Sequence, residues 1–389
     1  MSMTRRFRPP AALVRATLAF ATVVALVSPA TSAAAQEFPS RLSDSVFWKL
    51  VTDYSESNGF FRSDNFVSNE TTYQWVIPDL LRTTKPGGVY LGVGPDQNFT
   101  YIVALKPKIA FIFDIRRQNM LTHLMYKAII EASTDRADFA SRLFSRPRPP
   151  GVDTTSTPEA IFLAYSTVPP DSTAFRRNIA AIRDRLTKQH GFKLSEEDLG
   201  TIAYVYEAFV AAGPDITYNF AQRGGGFAGG FGGRGRMPSY AELQVATDSD
   251  RVHRGYMATE ANFRALKDME TNNLLVPLVG DFAGPKAIRS VGTYLKEHHA
   301  IVTAFYLSNV EQYLFQQEDD WRKFYTNVGT LPTDTTSTFI RSVFNNMGYY
   351  GNPGSSIRGQ QLLASILAQV KAFNEGKLLS YSDVISTSR

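Results

Sequence analysis

Solid apolar runs alternate with segments of helical period along this chain, and the alternation sets the expected fold. VYLGV (89–93) and IAFIFDI (109–115) are continuous apolar runs, the pattern of strands buried on both faces. Between them NFTYIVALKP predicts a short helix, and NMLTHLMYKAIIEAS (119–133) carries apolar residues at helical spacing. The alternation resumes later. ANFRALKDMETNN ends a helix, LLVPLVGDF (274–282) predicts a buried strand, PKAIRSVGTYLKEHH a helix and AIVTAFYLS (300–308) another strand. TSTFIRSVF (336–344) predicts a late strand, antiparallel at the edge, and IRGQQLLASILAQVKAFNEG (357–376) an amphipathic helix closed by Gly376. Strand, helix, strand, helix is the order of an α/β protein with a doubly wound, mostly parallel sheet.

The flanking and intervening segments divide the chain. LSDSVFWKLVTDYSESNGFF predicts a helix whose apolar face is Phe47, Trp48, Leu50 and Val51. KPGG (85–88) marks a turn, and NVEQYLF and DDWRKFYTNV predict helical turns. The first half of the sheet occupies residues 36–145. A mainly helical insertion spans 146–240, opening with the Pro/Thr-rich connector RPRPPGVDTTSTP (146–158) and containing STAFRRNIAAIRDRLTKQH and LSEEDLGTIAYVYEAFVAAG. RGGGFAGGFGGRGR (223–236) within it is too glycine-rich for local packing and predicts a flexible loop. Residues 241–389 hold the second half of the sheet and the C-terminal helix.

The N-terminus changes the charge picture. MSMTRRFRPP is basic, ATLAFATVVALV (16–27) is apolar and SPATSAAAQ offers a small-residue cleavage site after Ala35. Twelve apolar residues give about 18 Å of helix, short of a bilayer core of about 30 Å. Residues 1–35 therefore read as a signal peptide, and the mature chain as exported, periplasmic or extracellular. The formal charge of +5 includes four leader arginines; without them 37 basic residues face 36 acids. No basic footprint for nucleic acid or an anionic membrane remains. Cysteine is absent, which excludes disulfides, a thiol nucleophile and a thiolate metal site.

Candidate chemistry follows from the strand ends. In a doubly wound sheet, ligands sit beyond the carboxyl ends of the strands. That selects GVGPDQN, DIRRQN, GDFAG and SNVE, four polar or small-residue loops that each follow an apolar run. Gly92 and Gly94 allow close backbone approach, Asn98 lies on the following helix, and Asp114 comes 20 residues after Gly94. Gln97 holds the place of the third glycine of GxGxxG, so the loop reads either as a ligand contact or as a tight turn. Arg116 and Arg117 either clamp an anion or solvate a helix start. Asp281 and Glu311 are candidate general bases or helix caps, with Tyr306 and Asn309 near them. His123, among Leu121, Leu124 and Met125, is a catalytic candidate or a buried hydrogen-bonded histidine. It has no second ligand at metal spacing, and His298-His299 reads as a helix end, so no metal site is expected. RSDNFVSNE (62–70) either folds over the cleft with Arg62, Asp64, Asn65 and Glu70 as contacts, or forms a local side-chain-to-backbone network. There is no GxSxG, P-loop or HExxH.

NGFFRSDNFVSNE, YLGVGPDQNFTYIVALKPKIAFIFDIRR with HLMYKA, LVGDFAG and VTAFYLSNVEQYL resemble an uncharacterised group of bacterial exported proteins, some of them lipoproteins. Their Rossmann-like sheet is similar to that of class I S-adenosylmethionine-dependent methyltransferases. The resemblance implies that Gly92 and Gly94 approach the methionine moiety of that cofactor, that Asp114 binds the adenosine ribose, and that Asp281 belongs to the strand-four motif. The sequence departs from the pattern at Tyr90, where an acid is usual, and at Asp96, where the third glycine belongs. Three functions follow as expectations: an exported protein binding a small molecule in the cleft, an active methyltransferase using S-adenosylmethionine, or a hydrolase using Asp281, Glu311 or His123.

Overall fold

The computed structural model describes residues 38–218, 220, 237–344 and 359–389. The expected leader (1–35) and glycine-rich loop (223–236) lie outside the described residues. Helices α1 (Asp44–Tyr54) and α2 (Ile77–Thr83) precede the first strand. Strand β1 (Val89–Val93), α3 (Gln97–Leu105), β2 (Ile109–Asp114) and α4 (Arg117–Ala132) then follow as the pattern predicts. A helical stretch comes next: α5 (Arg136–Phe144), α6 (Pro158–Ser166), α7 (Ser172–Asp184), α8 (Glu196–Ala212) and α9 (Tyr240–Gln244). Helix α10 (Glu260–Thr271) leads into β3 (Leu275–Val279), followed by α11 (Ala287–Glu297), β4 (Val302–Ser308), α12 (Val310–Leu314) and α13 (Asp320–Val328). Strands β5 (Thr338–Val343) and β6 (Gln360–Ser365) and helices α14 (Ile366–Asn374) and α15 (Tyr381–Ser386) complete the chain.

The protein is an α/β fold around one six-stranded mixed sheet in the order β3-β2-β1-β4-β5-β6. All neighbouring pairs are parallel except β5 with β6. Every residue of β1, β2 and β3 is buried. Successive side chains point to opposite faces, so full burial means both faces are covered, which explains the solid rather than alternating apolar runs. Strand order reverses between β1 and β4: from β1 the chain steps outward to β2 and β3, then returns to β4 on the other side. Loops leaving the carboxyl ends of β1 and β4 therefore diverge, and a crevice opens between them.

Two expectations at the C-terminal end need correction. TSTFIRSVF forms β5, but it pairs parallel with β4 and lies inside the sheet, not antiparallel at its edge. The antiparallel edge is β6, built from QQLLAS within the segment expected to be one long helix. Its pairing with β5 runs from Thr338↔Ser365 to Val343↔Gln360. A short apolar run carries no period of its own, and the unpaired ladder of β5 decides its state. Ser365 ends the strand and caps α14 by accepting a bond from the Ala368 amide. Gly376 follows that helix with a φ of 68°, as expected of a helix-terminating glycine.

A buried charge cluster ties α1 and the helical stretch to the sheet helices. On α4, Lys127 lies 2.7 Å from Glu131 and also donates to the Glu270 carbonyl. His190 joins two carboxylates, with Nδ1 2.8 Å from Asp44 and Nε2 2.7 Å from Glu131. Both ring nitrogens donate in that arrangement, which is the imidazolium form. Its ring stacks on Phe192, which in turn stacks on Trp48 of α1. Burial alone would lower the His190 pKa, but its bond to and attraction by Glu131, with the bond to Asp44, raise it. Burial pushes the Glu270 carboxyl up to about 8, with Lys127 offsetting only part of the effect.

Stability should therefore fall with rising pH. The His190 contribution is complete below its unfolded pKa of 6.5 and is lost as pH rises through the raised folded value. Glu270 acts with the same sign, since the folded protein keeps its proton over a window, 4.5 to about 8, where the unfolded chain releases it. Burial works against ionised Asp44 and Glu131, yet their hydrogen bonds (from Asn273 and His190 to Asp44, and from His190 to Glu131) depress both pKa values, so their terms are lost only in acid. Urea unfolding between about pH 6.5 and pH 8.5, above the range where buried neutral His123 acts with the opposite sign, should show a declining midpoint, and His190→Gln should flatten it to the slope left by Glu270. An unchanged slope in the variant would remove the role given to His190.

Candidate functional site

A strap of chain from Ser55 to Glu70 crosses the carboxyl ends of the strands, and its bonds define the site. The Ser55 hydroxyl accepts from the Val279 amide at the end of β3. Glu56 accepts from the amides of Asp281, Lys286 and Ala287, so one carboxylate holds the GDFAG loop and meets the start of α11. Helix N-termini leave amides unpaired and favour negative charge, which gives Glu56 its place. Asn58 accepts from the Arg117 amide at the start of α4, and the Gly59 amide donates to the Ile115 carbonyl. Further along, the carbonyls of Ser63 and Asp64 accept from Arg116 Nη1 at 2.7 and 2.6 Å.

Between the strap and the strand tips lies a cleft of about 720 Å³. All four loops reach it: Gly94 after β1, Asp114 and Arg116 after β2, Asp281 after β3, and Asn309 after β4, together with Tyr306 near the end of β4. From the strap, Arg62, Asn65 and Glu70 line it, while Asp64 turns away to accept from Gln118 and Tyr204. Gly94 has a φ of 80°, and a side chain there would meet nothing within 4 Å, so its backbone is bare towards the cleft.

Glu70 forms the floor. Its carboxylate is buried and accepts four hydrogen bonds. Tyr306 and Ser308 donate to Oε1 at 2.7 and 2.6 Å; Gln97 and Gln361 donate to Oε2 at 3.0 and 3.1 Å. These donors come from β4 and its end, from α3 and from β6, and none carries charge. Thr72 donates to Gln361 Oε1, which fixes that amide with its nitrogen towards Glu70. Ser308 reaches Glu70 from a left-handed backbone, with φ of 50°, at an irregularity where β4 leaves its register with β5. Such a conformation in a non-glycine residue costs on the order of 1 kcal/mol or more and persists where surrounding bonds hold it.

The ionisable groups at the rim are largely committed. Asp114 is paired side-on with Arg116 through Nε at 2.9 Å and Nη2 at 2.8 Å, and it also accepts from the Arg116 amide. The acid expected to meet ribose hydroxyls is thus mainly occupied by a guanidinium. Asp281 accepts from the Ala283 amide, and burial, assisted by the charges of Asp320 and Glu56, raises its pKa.

Several residues singled out in the sequence do not line the cleft. Gly92 is in β1, where an added Cβ would lie 2.0 Å from Asn98 Oδ1 and 2.8 Å from the Tyr90 ring. Asn98 donates to the carbonyls of Val93, Gly94 and Pro95 and accepts from Tyr90 at 2.8 Å. These residues hold the loop from behind. His123 does the same through Nε2, 2.8 Å from the Gly94 carbonyl; that oxygen only accepts, so Nε2 carries the proton. Burial lowers the His123 pKa to about 4, so the ring is neutral. Glu311 is buried against Arg341 at 2.6 Å and accepts from Tyr325 at 2.5 Å, tying α12 to β5 and α13. Asp96 points into the core, where it accepts from Tyr256 and Gln244; burial raises it to about 6. Arg117 pairs with Asp198 of α8, away from the cleft.

Other cleft residues went unrecognised in the sequence. Gln97 stands in the sequence only as the residue at the third-glycine position; Gln361, in the segment expected to be helical, supports the cleft from behind through Glu70. Phe60, Phe61, Tyr218, Gln312 and Tyr313 also line the cleft. The one available signal was the run of amides and aromatics after β4, NVEQYLFQQ, which is more polar than a short helix needs for packing. Among the described residues there is no group of three His, Asp or Glu side chains that could hold a metal ion, and no helix long and apolar enough to cross a membrane.

Comparison with known proteins gives a family without an activity. No curated protein matches the chain. The model of a family described as a domain of unknown function, DUF7790, matches residues 65–149 and 165–380, a span that contains all six strands, the four cleft loops and Glu70. With most of its length matched, the chain belongs to the DUF7790 family.

Proposed function

We propose that this chain is an exported small-molecule-binding protein whose ligand sits in the cleft between the 55–70 strap and the carboxyl ends of β1 to β4. The observation that carries the reading is convergence: four loops, separated by up to about two hundred residues of sequence, present Gly94, Asp114, Asp281 and Asn309 to one space of about 720 Å³. That is inside the roughly 300–1,000 Å³ of typical small-molecule sites, and a strand-order reversal is where such sites form. Export is supported by the basic, apolar and small-residue succession of residues 1–35.

Methyl transfer from S-adenosylmethionine is the second reading. It is favoured by Gly94 and Asp114, which line the same cleft, and by a five-stranded parallel run ending in one antiparallel strand, an order compatible with a methyltransferase-like Rossmann arrangement. Against it stand the Asp114–Arg116 pair and the inward turn of Asp96. A site that pre-empts its ribose acceptor must break a charge-assisted pair before binding.

Three measurements test these readings. In a thermal-shift screen of neutral, cationic and anionic metabolites, hits should stabilise the wild type and not Asn309→Trp, whose indole occupies the cleft. A screen without hits, or hits that survive the substitution, sinks the cleft reading. Calorimetry with S-adenosylmethionine and S-adenosylhomocysteine decides the second reading: no heat at millimolar ligand removes methyl transfer. Expressed with its own N-terminus in a bacterial host, the secreted or periplasmic product should begin at Gln36 by intact mass. Recovery of uncleaved chain in the cytoplasm would count against export.

A further inference from the structure

We propose that the cleft takes a neutral, hydroxyl-rich ligand, an oligosaccharide, recognised by uncommitted amide side chains and by aromatic faces. The inference rests on the binding reading above and names its ligand class. It starts from the charges lining the cleft, which are largely spoken for within the protein. Arg116 spends Nε and Nη2 on Asp114 and Nη1 on two carbonyls. Arg62, the other lining cation among the described residues, is also partnered. Among the described residues, an anionic ligand therefore meets no uncommitted cation there, and desolvating its charge would go uncompensated. The acids are no more available to a cation. Glu70 already accepts four bonds, Asp114 is paired, and Asp320 lies 2.8 Å from Lys323. Asp281 is half-buried, spends Oδ1 on the Ala283 amide, and has its pKa raised by burial and by the charges of Asp320 and Glu56.

Most of what remains uncommitted is amide. Asn69, Gln312, Gln316 and Gln317 line the cleft, and their side chains make no hydrogen bond among the described residues. Asn309 receives only a long contact of 3.5 Å from Ser308. An amide offers both donors and an acceptor, and a hydroxyl is likewise donor and acceptor at once, so a row of amides complements a row of hydroxyls without any charge. The aromatic lining supplies the other half. Phe61 and Tyr313 meet edge to face at 5.7 Å, and Phe60 stands beside them 85% exposed. Aromatic faces carry partial negative charge and attract the weakly positive C–H faces of a pyranose ring. An exposed phenylalanine at a cleft lip gains apolar contact when such a ring covers it. Free amides beside an exposed phenylalanine, with the ionisable groups mostly hydrogen-bonded within the protein, fit a saccharide better than a nucleotide, an amino acid or a fatty chain.

Titration calorimetry of the purified chain with β1,4- and α1,4-linked glucose tetrasaccharides, a mannose tetrasaccharide and an N-acetylglucosamine tetrasaccharide tests this. At least one should bind saturably. Phe60→Ala at an exposed position and Gln312→Ala at a half-buried one whose side chain makes no hydrogen bond among the described residues should weaken that binding by about five- to tenfold while leaving the melting temperature unchanged. Silence of all four probes at millimolar concentration overturns the proposal, as does binding that neither substitution alters. The cleft itself is judged separately: if the saccharides are silent while a metabolite hit is lost in Asn309→Trp, the ligand class is wrong and the site stands. If both are silent, both readings fall.

Discussion

Glu70 is a carboxylate buried at the bottom of a cleft, and four side chains from separate parts of the chain aim their hydrogens at it. Taking a carboxylate out of water costs several kcal/mol unless bonds replace its hydration. Here the replacement comes from Gln97, Tyr306, Ser308 and Gln361, with no cation among them. Each such charge-assisted bond is worth roughly 1.5–3 kcal/mol. The strap that delivers Glu70, the helix after β1, the end of β4 and the edge strand β6 are therefore coupled through one group. Loss of any donor leaves the charge short of a partner, so the four elements keep their relative positions together.

The same economy runs through the rest of the cleft wall. The Gly94 loop is held from behind by Asn98 through three carbonyls and by His123 through a fourth contact, so it needs no ligand to keep its shape. Asp114 and Arg116 neutralise each other while Arg116 also pins the strap. Glu56 satisfies helix amides that would otherwise face the cleft side of α11. A binding site whose scaffold is satisfied in advance loses little conformational entropy when a ligand enters. It also presents only those groups that scaffold bonding has left over, which is why the uncommitted side chains say more about the ligand than the charged ones do.

Much of the fold was legible because burial leaves a local trace. The solid apolar runs of β1 to β4 and the helical period of α4 and α10 each report their own environment, and the polar loops after the strands marked where a cleft would form. Gly94, Asp114, Asp281 and Asn309 stand at those strand ends and line the cleft, while Glu70 comes from the polar run before the sheet, which the sequence left open between cleft contact and local network. The misread residues share a different physics. Whether Asn98 faces a ligand or its own loop depends on Tyr90 and three nearby carbonyls. Whether Glu311, on α12, is a free acid depends on Arg341, thirty residues away in sequence on β5. QQLLAS became a strand because β5 offered it a ladder, and its own composition suits helix or strand equally.

The sequence by itself determined the α/β class of fold, where the strands β1 to β4 lie along the chain, and the four loops from which a site could be assembled, since these follow from the period of apolar residues and the residues that end each run. Only the tertiary structure decided which polar side chains were already consumed by one another. Hydrogen bonds and ion pairs between distant segments leave no period in the chain, and they alone separate the residues that build the cleft from those left open to what enters it.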